Sequence, residues 1–260
     1  MPPNEPYLSV KDLKRKAINA CYGANMINNM YFSRNPLKRY YFRRNLASVL
    51  KAVQLSKNTK VTMDFGPGFG ILILPLSQMF ERVVALDIDD GQLSSSRSMI
   101  DTNAITNAEL ILKAREDEFE GLESGYYDCI IADNVLEHDK GAKKIIDNLT
   151  RILRKDVVLV ISLPTENWIY RLFESKYDGH VFRTNREIRE LISYCQSLME
   201  EIAILDVFPF YYTRAYLKKR GKISTPSPFM LVTTAEGDID HRNEDMMPMY
   251  LFLNNLLAMR

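Results

Sequence analysis

The chain has 260 residues, 46% of them hydrophobic and 26% charged, with 34 Lys+Arg against 33 Asp+Glu. That hydrophobic share, with 12 Phe and 14 Tyr, is too high for a disordered chain. No apolar run approaches the roughly 20 residues of a membrane-spanning helix.

The opening, MPPNEPYLSVKDLKRK, lacks the apolar stretch of a secretory signal. Cys21, Cys129 and Cys195 lie far apart, which argues for a reducing cytoplasm and against a disulfide framework or a zinc knuckle. One large domain with appendages is expected: residues 1–50 as a basic helical segment, 51–236 as the main domain and 237–260 as a tail.

Charge is unevenly spread. From Leu13 to Met63 there is no Asp or Glu, but eleven basic residues, among them Lys14, Arg15, Arg39, Arg43 and Arg44. Such a segment either faces an anionic partner (phosphorylated substrate, lipid headgroups or nucleic acid) or is a solvated helical face. The pattern over 38–50 is helical, with Tyr41, Leu46, Val49 and Leu50 near one face.

Beyond residue 60, short β-rich runs alternate with helical patterns, as in βαβ units around a parallel sheet. Strands are predicted over 60–65, 82–87, 109–113, 127–132 and 157–162. Their near-continuous apolar runs (VVALD, CIIA, VVLVIS) suit strands covered on both faces. Helices are predicted over 72–80, 90–101 and 141–153, with Pro75 delaying or bending the first. A further helix starts at the capping-box spacing of Thr184 and Glu187. Strands over 202–208 and 229–234, joined by a long loop, complete a seven-stranded doubly wound α/β sheet whose last strand is antiparallel. A basic cluster, including Arg214 and Lys218, falls between those two runs. The tail ends in an apolar stretch, MYLFLNNLLAM, expected to dock as a short helix.

Glycine is sparse, 11 in 260, yet Gly66, Gly68 and Gly70 fall within five positions directly after the first strand. Glycines there let the backbone turn sharply and approach a ligand, at the edge where open α/β sheets bind one. A dinucleotide fingerprint would need a glycine at position 71, which is Ile71. The pattern is instead D-x-G-x-G-x-G. Asp64 at the strand end would repel a pyrophosphate but can pair with an ammonium. Asp87, at the end of the second strand, is placed to reach a ribose diol. An amino group, a ribose and an adenine without phosphate describe S-adenosylmethionine.

These motifs resemble those of class I S-adenosylmethionine-dependent methyltransferases, particularly the ubiquinone/menaquinone-biosynthesis (type 11) branch, and imply a Rossmann-like fold with a helical N-terminal lid. The resemblance spans about residues 20–235. DFGPGFG resembles the first motif and implies that Asp64, Phe65 and the Gly66–Gly70 backbone contact the methionine moiety. VVALDID resembles the second, implying Asp87 on the ribose and Ile88 against the adenine. YYDCIIADNVLEH is similar to the fourth-strand motif, which implies Asp133 and Asn134 near the sulfonium. ACYGANMINNM resembles the lid, with Tyr22 over the methionine end. GHVFRTNREIRELI resembles the piece after strand five. Where the family places an adenine-binding acid, this chain reads KARED, giving Glu116 as first choice and Asp117 as second.

For the acceptor, His138 is a candidate general base, since imidazole titrates near neutrality. An exposed histidine capping the strand end is the plainer alternative. His180 and Arg183 share the ambiguity of His138, and His180 and Trp168 are candidates for the substrate site, Trp168 also reading as core in WIYRLF. Cys129 reads as packing. No G-x-S-x-G, P-loop or H-E-x-x-H occurs, and no metal is expected. The expected reaction is methyl transfer to a small molecule, anionic or lipid-linked, at the inner membrane face. The alternatives are an RNA methyltransferase, a cofactor-binding partner without catalysis, and aminopropyl transfer on the same fold.

Overall fold

The computed structural model describes residues 61–115, 117–164, 185–206 and 212–218, with scattered positions between 31 and 60. In chain order these form β1 (Val61–Phe65), α1 (Ile73–Met79), β2 (Arg82–Asp87), α2 (Asp90–Thr102), β3 (Ala108–Leu112) and β4 (Tyr127–Asp133). A 3₁₀ turn (Leu136–His138) follows, then α3 (Ala142–Ile152), β5 (Leu153–Pro164), α4 (Asn185–Leu198), β6 (Glu200–Asp206) and β7 (Tyr212–Lys218).

The sheet order is β3-β2-β1-β4-β5-β7-β6. β1 to β5 pair in parallel, and β7 runs antiparallel to both β5 and β6. From β1 the chain winds outward through β2 and β3, then returns to β4 on β1's other side. The carboxyl ends of β1 and β4 therefore flank the switch point, where the two crossover directions leave a crevice.

Side-chain alternation along the strands feeds two cores. Met63, Phe65, Ile130, Leu159 and Ile161 face a layer made by α3 and α4. Cys129, Ile131, Val158 and Val160 face the opposite layer, which includes α1 residues Leu74 and Leu76 and also Leu46, Val49 and Val53. Helical residues on both sides of position 50 thus pack on the same face of the sheet. α3 shows why such helices form: Ala142, Ile145, Ile146, Leu149 and Ile152 fall on one stripe and are all buried. Burying each of its larger side chains stabilises by roughly 1.5–3 kcal/mol.

Pro75 lies in the first turn of α1, where its missing N–H would be unpaired anyway. The helix therefore starts at Ile73 and does not kink. α2 is capped by Asp89, whose Oδ1 accepts from Gly91 N at 2.7 Å and Gln92 N at 3.2 Å. At the sheet's other end, the fully buried Asp128 ties β1 to β4 and β5. It accepts from Lys60 N at 3.1 Å, Val61 N at 3.0 Å and Arg154 Nη1 at 2.6 Å.

One strand differs from expectation. The antiparallel partner of β5 is Tyr212–Lys218, which sequence reading took for part of a basic cluster, and it begins six positions after the end of β6 at Asp206 and not after the long connection expected. Seven consecutive backbone pairs, from Val158↔Lys218 to Pro164↔Tyr212, make this strand, and basic side chains do not prevent a backbone from pairing. The run over 229–234, the Thr184 cap, the tail and most of the N-terminal segment lie outside the described residues.

Candidate functional site

A cleft of about 280 Å³ opens at the switch point, lined by residues that include Phe65, Gly66, Gly68, Asp87, Ile88, Asn134 and His138. All seven were singled out in the sequence. The turn after β1 is shaped by its glycines. Gly66 has φ +73° and donates its N–H to Leu86 O at 2.9 Å, extending the β1–β2 ladder. A Cβ on Gly66 would lie 2.5 Å from Val135 Cγ2, so the glycine lets the β1 turn touch the β4 turn. Gly70, at φ +73°, packs similarly against Ser96 of α2, where a Cβ would lie 3.0 Å from the backbone Cα. Gly68, at φ +54°, faces open space.

Asp64, immediately before this turn, is 1% exposed, and its Oδ2 has no hydrogen-bond partner among the described residues. Burial first, then the charges of Asp133 and Asp87, push its carboxyl up from the ordinary 3.8 to about 8. Asp87 closes β2. Its Oδ1 accepts from Ile88 N at 2.8 Å and Asp89 N at 3.0 Å, which partly offsets the upward push of burial on its pKa.

At the end of β4, Asn134 holds φ +59° and donates its N–H to Ser162 O at 3.0 Å. A non-glycine in this region is uncommon and stores strain at the cleft edge. Ser162 Oγ donates to Asp133 Oδ1, joining the carboxyl ends of β4 and β5. In the following 3₁₀ turn, Glu137 is fully buried, neither carboxyl oxygen has a hydrogen-bond partner among the described residues, and burial first, with the charge of Asp133, raises it from 4.5 to about 8. Glu137 Oε1 lies 3.9 Å from Nε2 of His138, a distance beyond a hydrogen bond. The His138 side chain is 39% exposed and lines the cleft.

The structure brings in residues that sequence reasoning missed: Gln92, Arg115, Glu118, Val135 and Asp139 also line the cleft. Arg115 donates to Asp139, bridging the β3 and β4 sides. Of the KARED acids, Asp117 is exposed and does not line the cleft, whereas the next acid along, Glu118, does. Glu116 lies outside the described residues, as do Tyr22, Trp168, His180 and Arg183. The acid cluster of that loop was the available signal; which acid turns inward is a matter of loop conformation. For Glu137 the only signal was an acid inside an otherwise apolar VLEH run. Cys129 is buried packing, as expected. Among the described residues no group of acids, histidines and cysteines is arranged to hold a metal, and no helix is long and apolar enough to cross a membrane.

Residues 37–221 match the Methyltransferase domain family, and the chain belongs to it. Among solved structures, it is similar to the N-methyltransferase NodS from Bradyrhizobium japonicum WM9 in complex with S-adenosyl-L-homocysteine. That match has a TM-score of 0.58 and 15% identity over 82% of this chain and 98% of the other. A SAM-dependent methyltransferase from Aquifex aeolicus matches with a TM-score of 0.53 and 15% identity, over 80% of this chain and 97% of the other. At these identities the likeness is one of fold. Over 123 residues the chain is 28% identical to the highly reducing polyketide synthase PKS6 from Gibberella zeae. The match takes in 44% of this chain and 5% of the synthase's length.

Proposed function

We propose that the cleft binds S-adenosylmethionine and that the protein transfers its methyl group to a small molecule, anionic or lipid-linked, whose reacting end enters beside His138. The single observation that carries this reading is the buried, unpartnered Oδ2 of Asp64 beside a glycine turn that leaves the cleft wall open. A buried carboxyl oxygen without a donor costs free energy. A ligand ammonium there would supply the donor and the countercharge together. The open space at Gly68 leaves room for a ligand to approach the backbone.

In this reading Asp64 holds the ammonium, the Gly66–Gly70 turn packs along the methionine chain, and Asp87 accepts from the ribose hydroxyls. Ile88, 36% exposed and apolar, covers one adenine face. Phe65, stacked on Phe119 at 5.3 Å, stiffens the wall, and Asp133 and Asn134 sit near the reacting end. When bound, the cofactor supplies an electrophilic methyl group on a sulfonium. The protein's part is to align the acceptor atom with that methyl and to exclude water, with His138 removing the acceptor's proton. Tyr22 closes the methionine end, Glu116 or Glu118 reads the adenine amine, and Trp168 and His180 wall the acceptor.

The acidless segment from Leu13 to Met63 supports the anionic end of the acceptor or an anionic membrane surface. Co-sedimentation with vesicles containing anionic lipid checks this: binding should fall with added salt, and binding indifferent to lipid charge and salt counts against it. For the cofactor, titration calorimetry with S-adenosylmethionine and S-adenosylhomocysteine should give micromolar affinities, with none for NADH. No heat from either sulfur ligand sinks the assignment.

A further inference from the structure

Arg115 and Asp139 meet across the cleft. Arg115 follows β3 and Asp139 follows the 3₁₀ turn after β4; β2 and β1 lie between those strands in the sheet, and both residues line the cleft. Nη1 of Arg115 donates to Oδ2 of Asp139, so a carboxylate already sits on the guanidinium inside the site. The loop that carries Arg115 is fastened on either side of it. Lys113 donates its N–H to Asp87 O at 3.0 Å and its Nζ to Glu120 O at 3.0 Å. Further along, Phe119 stacks on Phe65 and Arg151 Nη1 donates to Leu122 O at 2.9 Å. The guanidinium is therefore presented from a fixed base, which lowers the entropy cost of holding a ligand.

Exchange of one oxyanion for another is easy at this point. The side chains of the pair are 51% and 20% exposed, and an ion pair so open to water contributes little stability. Nε and Nη2 of Arg115 donate to no other described residue, which leaves donors of the planar fork for a ligand's oxygens. Asp139 has a tie of its own, since its Oδ1 accepts from Gly141 N at 2.6 Å, and that tie remains when Arg115 turns to a ligand. Elsewhere the described lining repels an anion: Asp87 and Glu118 are acids, and Arg115 is the one described lining side chain that is cationic at any physiological pH. His138 directly precedes Asp139 and lines the same cleft, so a ligand held by its anionic group at Arg115 has its neutral part to offer beside His138.

We propose that Arg115 selects the methyl acceptor through an oxyanionic group, carboxylate or phosphate, which displaces Asp139 from the guanidinium. Asp139 is then an internal competitor, holding the guanidinium until a ligand of the right charge arrives. That this ligand is the methyl acceptor rests on the methyl-transfer reading of the cleft; the anion site does not.

The test uses hexanoate and hexyl phosphate, with hexan-1-ol as the neutral control. Each is titrated by ligand-observed NMR into the full chain, with and without S-adenosylhomocysteine, for wild type, Arg115→Gln, Asp139→Asn and the double variant. In wild type at least one anion should bind about tenfold or more above the alcohol, and the tighter of the two tells carboxylate from phosphate. Arg115→Gln should bring the anions down to the alcohol while the alcohol binds as before, which shows that the cleft is intact. Asp139→Asn keeps an acceptor for Gly141 N and removes the competitor, so anion affinity should rise about two- to fivefold. A misfolded variant cannot produce that gain, and the double variant should lack it. Anions no tighter than hexan-1-ol in wild type, a preference that survives Arg115→Gln, no gain in Asp139→Asn, or a gain that persists in the double variant each overturn the inference. If S-adenosylhomocysteine binds and any of these occurs, the inference alone fails. An anion preference that follows Arg115 in a protein that binds no S-adenosylhomocysteine keeps the anion site and overturns the methyl-transfer reading.

Discussion

Asp64 gives a quantitative handle on the proposed cofactor site. Its carboxyl titrates at about 8 without ligand, so at pH 7 it is roughly nine-tenths protonated. Holding an ammonium requires the ionised form, so binding of S-adenosylhomocysteine at pH 7 should release close to one proton. If the bound carboxyl titrates below pH 6, affinity rises about fifty-fold from pH 6 to pH 8, or ~2.3 kcal/mol, and levels off above.

The ligand-free protein shows the mirror image. The folded pKa lies above the ordinary 3.8, so this group's contribution to stability is fully present below about pH 4. It is lost as the pH rises to about 8, by up to about 1.4 kcal/mol per pH unit. Asp64→Asn should flatten both dependences: the variant gains on wild type in urea unfolding as pH rises, yet binds the ligand weakly with no proton release. Calorimetry in phosphate and Tris at three pH values measures the first effect directly. Wild-type affinity that ignores pH, or proton release that survives in Asp64→Asn, would refute the assignment of the ammonium to this carboxyl.

Other perturbations separate scaffold from site. Gly66→Ala meets Val135 at 2.5 Å in a left-handed backbone and should cost about 2–4 kcal/mol in chemical denaturation. Gly68→Ala, open around its Cβ, should cost only about 1–2 kcal/mol but weaken S-adenosylhomocysteine at least tenfold; equal effects of the two changes on stability would contradict this geometry. Asp87→Ala should weaken the same ligand by about ten- to a hundred-fold, the value of one or two hydrogen bonds to a carboxylate, without unfolding the sheet. Unchanged affinity removes Asp87 from the site. Asp128→Ala, at the far end of the sheet, should destabilise by about 3 kcal/mol, because Lys60 N and Val61 N lose their acceptor. Its ligand affinity should stay at the wild-type value; a large drop would mean that the two ends of the sheet are coupled.

Much of the site was legible because its chemistry is tied to local sequence. A strand ending in D-x-G-x-G-x-G must turn within a few residues, and the glycines at 66, 68 and 70 all adopt positive φ there. Near-continuous apolar runs identified β2, β4 and β5 because strands covered on both faces have no polar alternation. With those strands in place, the crevice beside Asp87, Asn134 and His138 follows from parallel winding alone.

What the sequence could not give depends on contacts between distant segments. Tyr212–Lys218 becomes a strand through backbone pairing with β5 and β6, and backbone hydrogen bonds carry no composition signal strong enough to outweigh Arg214 and Lys218. The selection of Glu118 over Asp117 depends on how one loop folds over the β3 end. The state of Glu137 is likewise tertiary. An acid in a short turn reads as surface until packing removes it from water, and it is that loss of solvent that pushes the carboxyl of Glu137 well above the ordinary range.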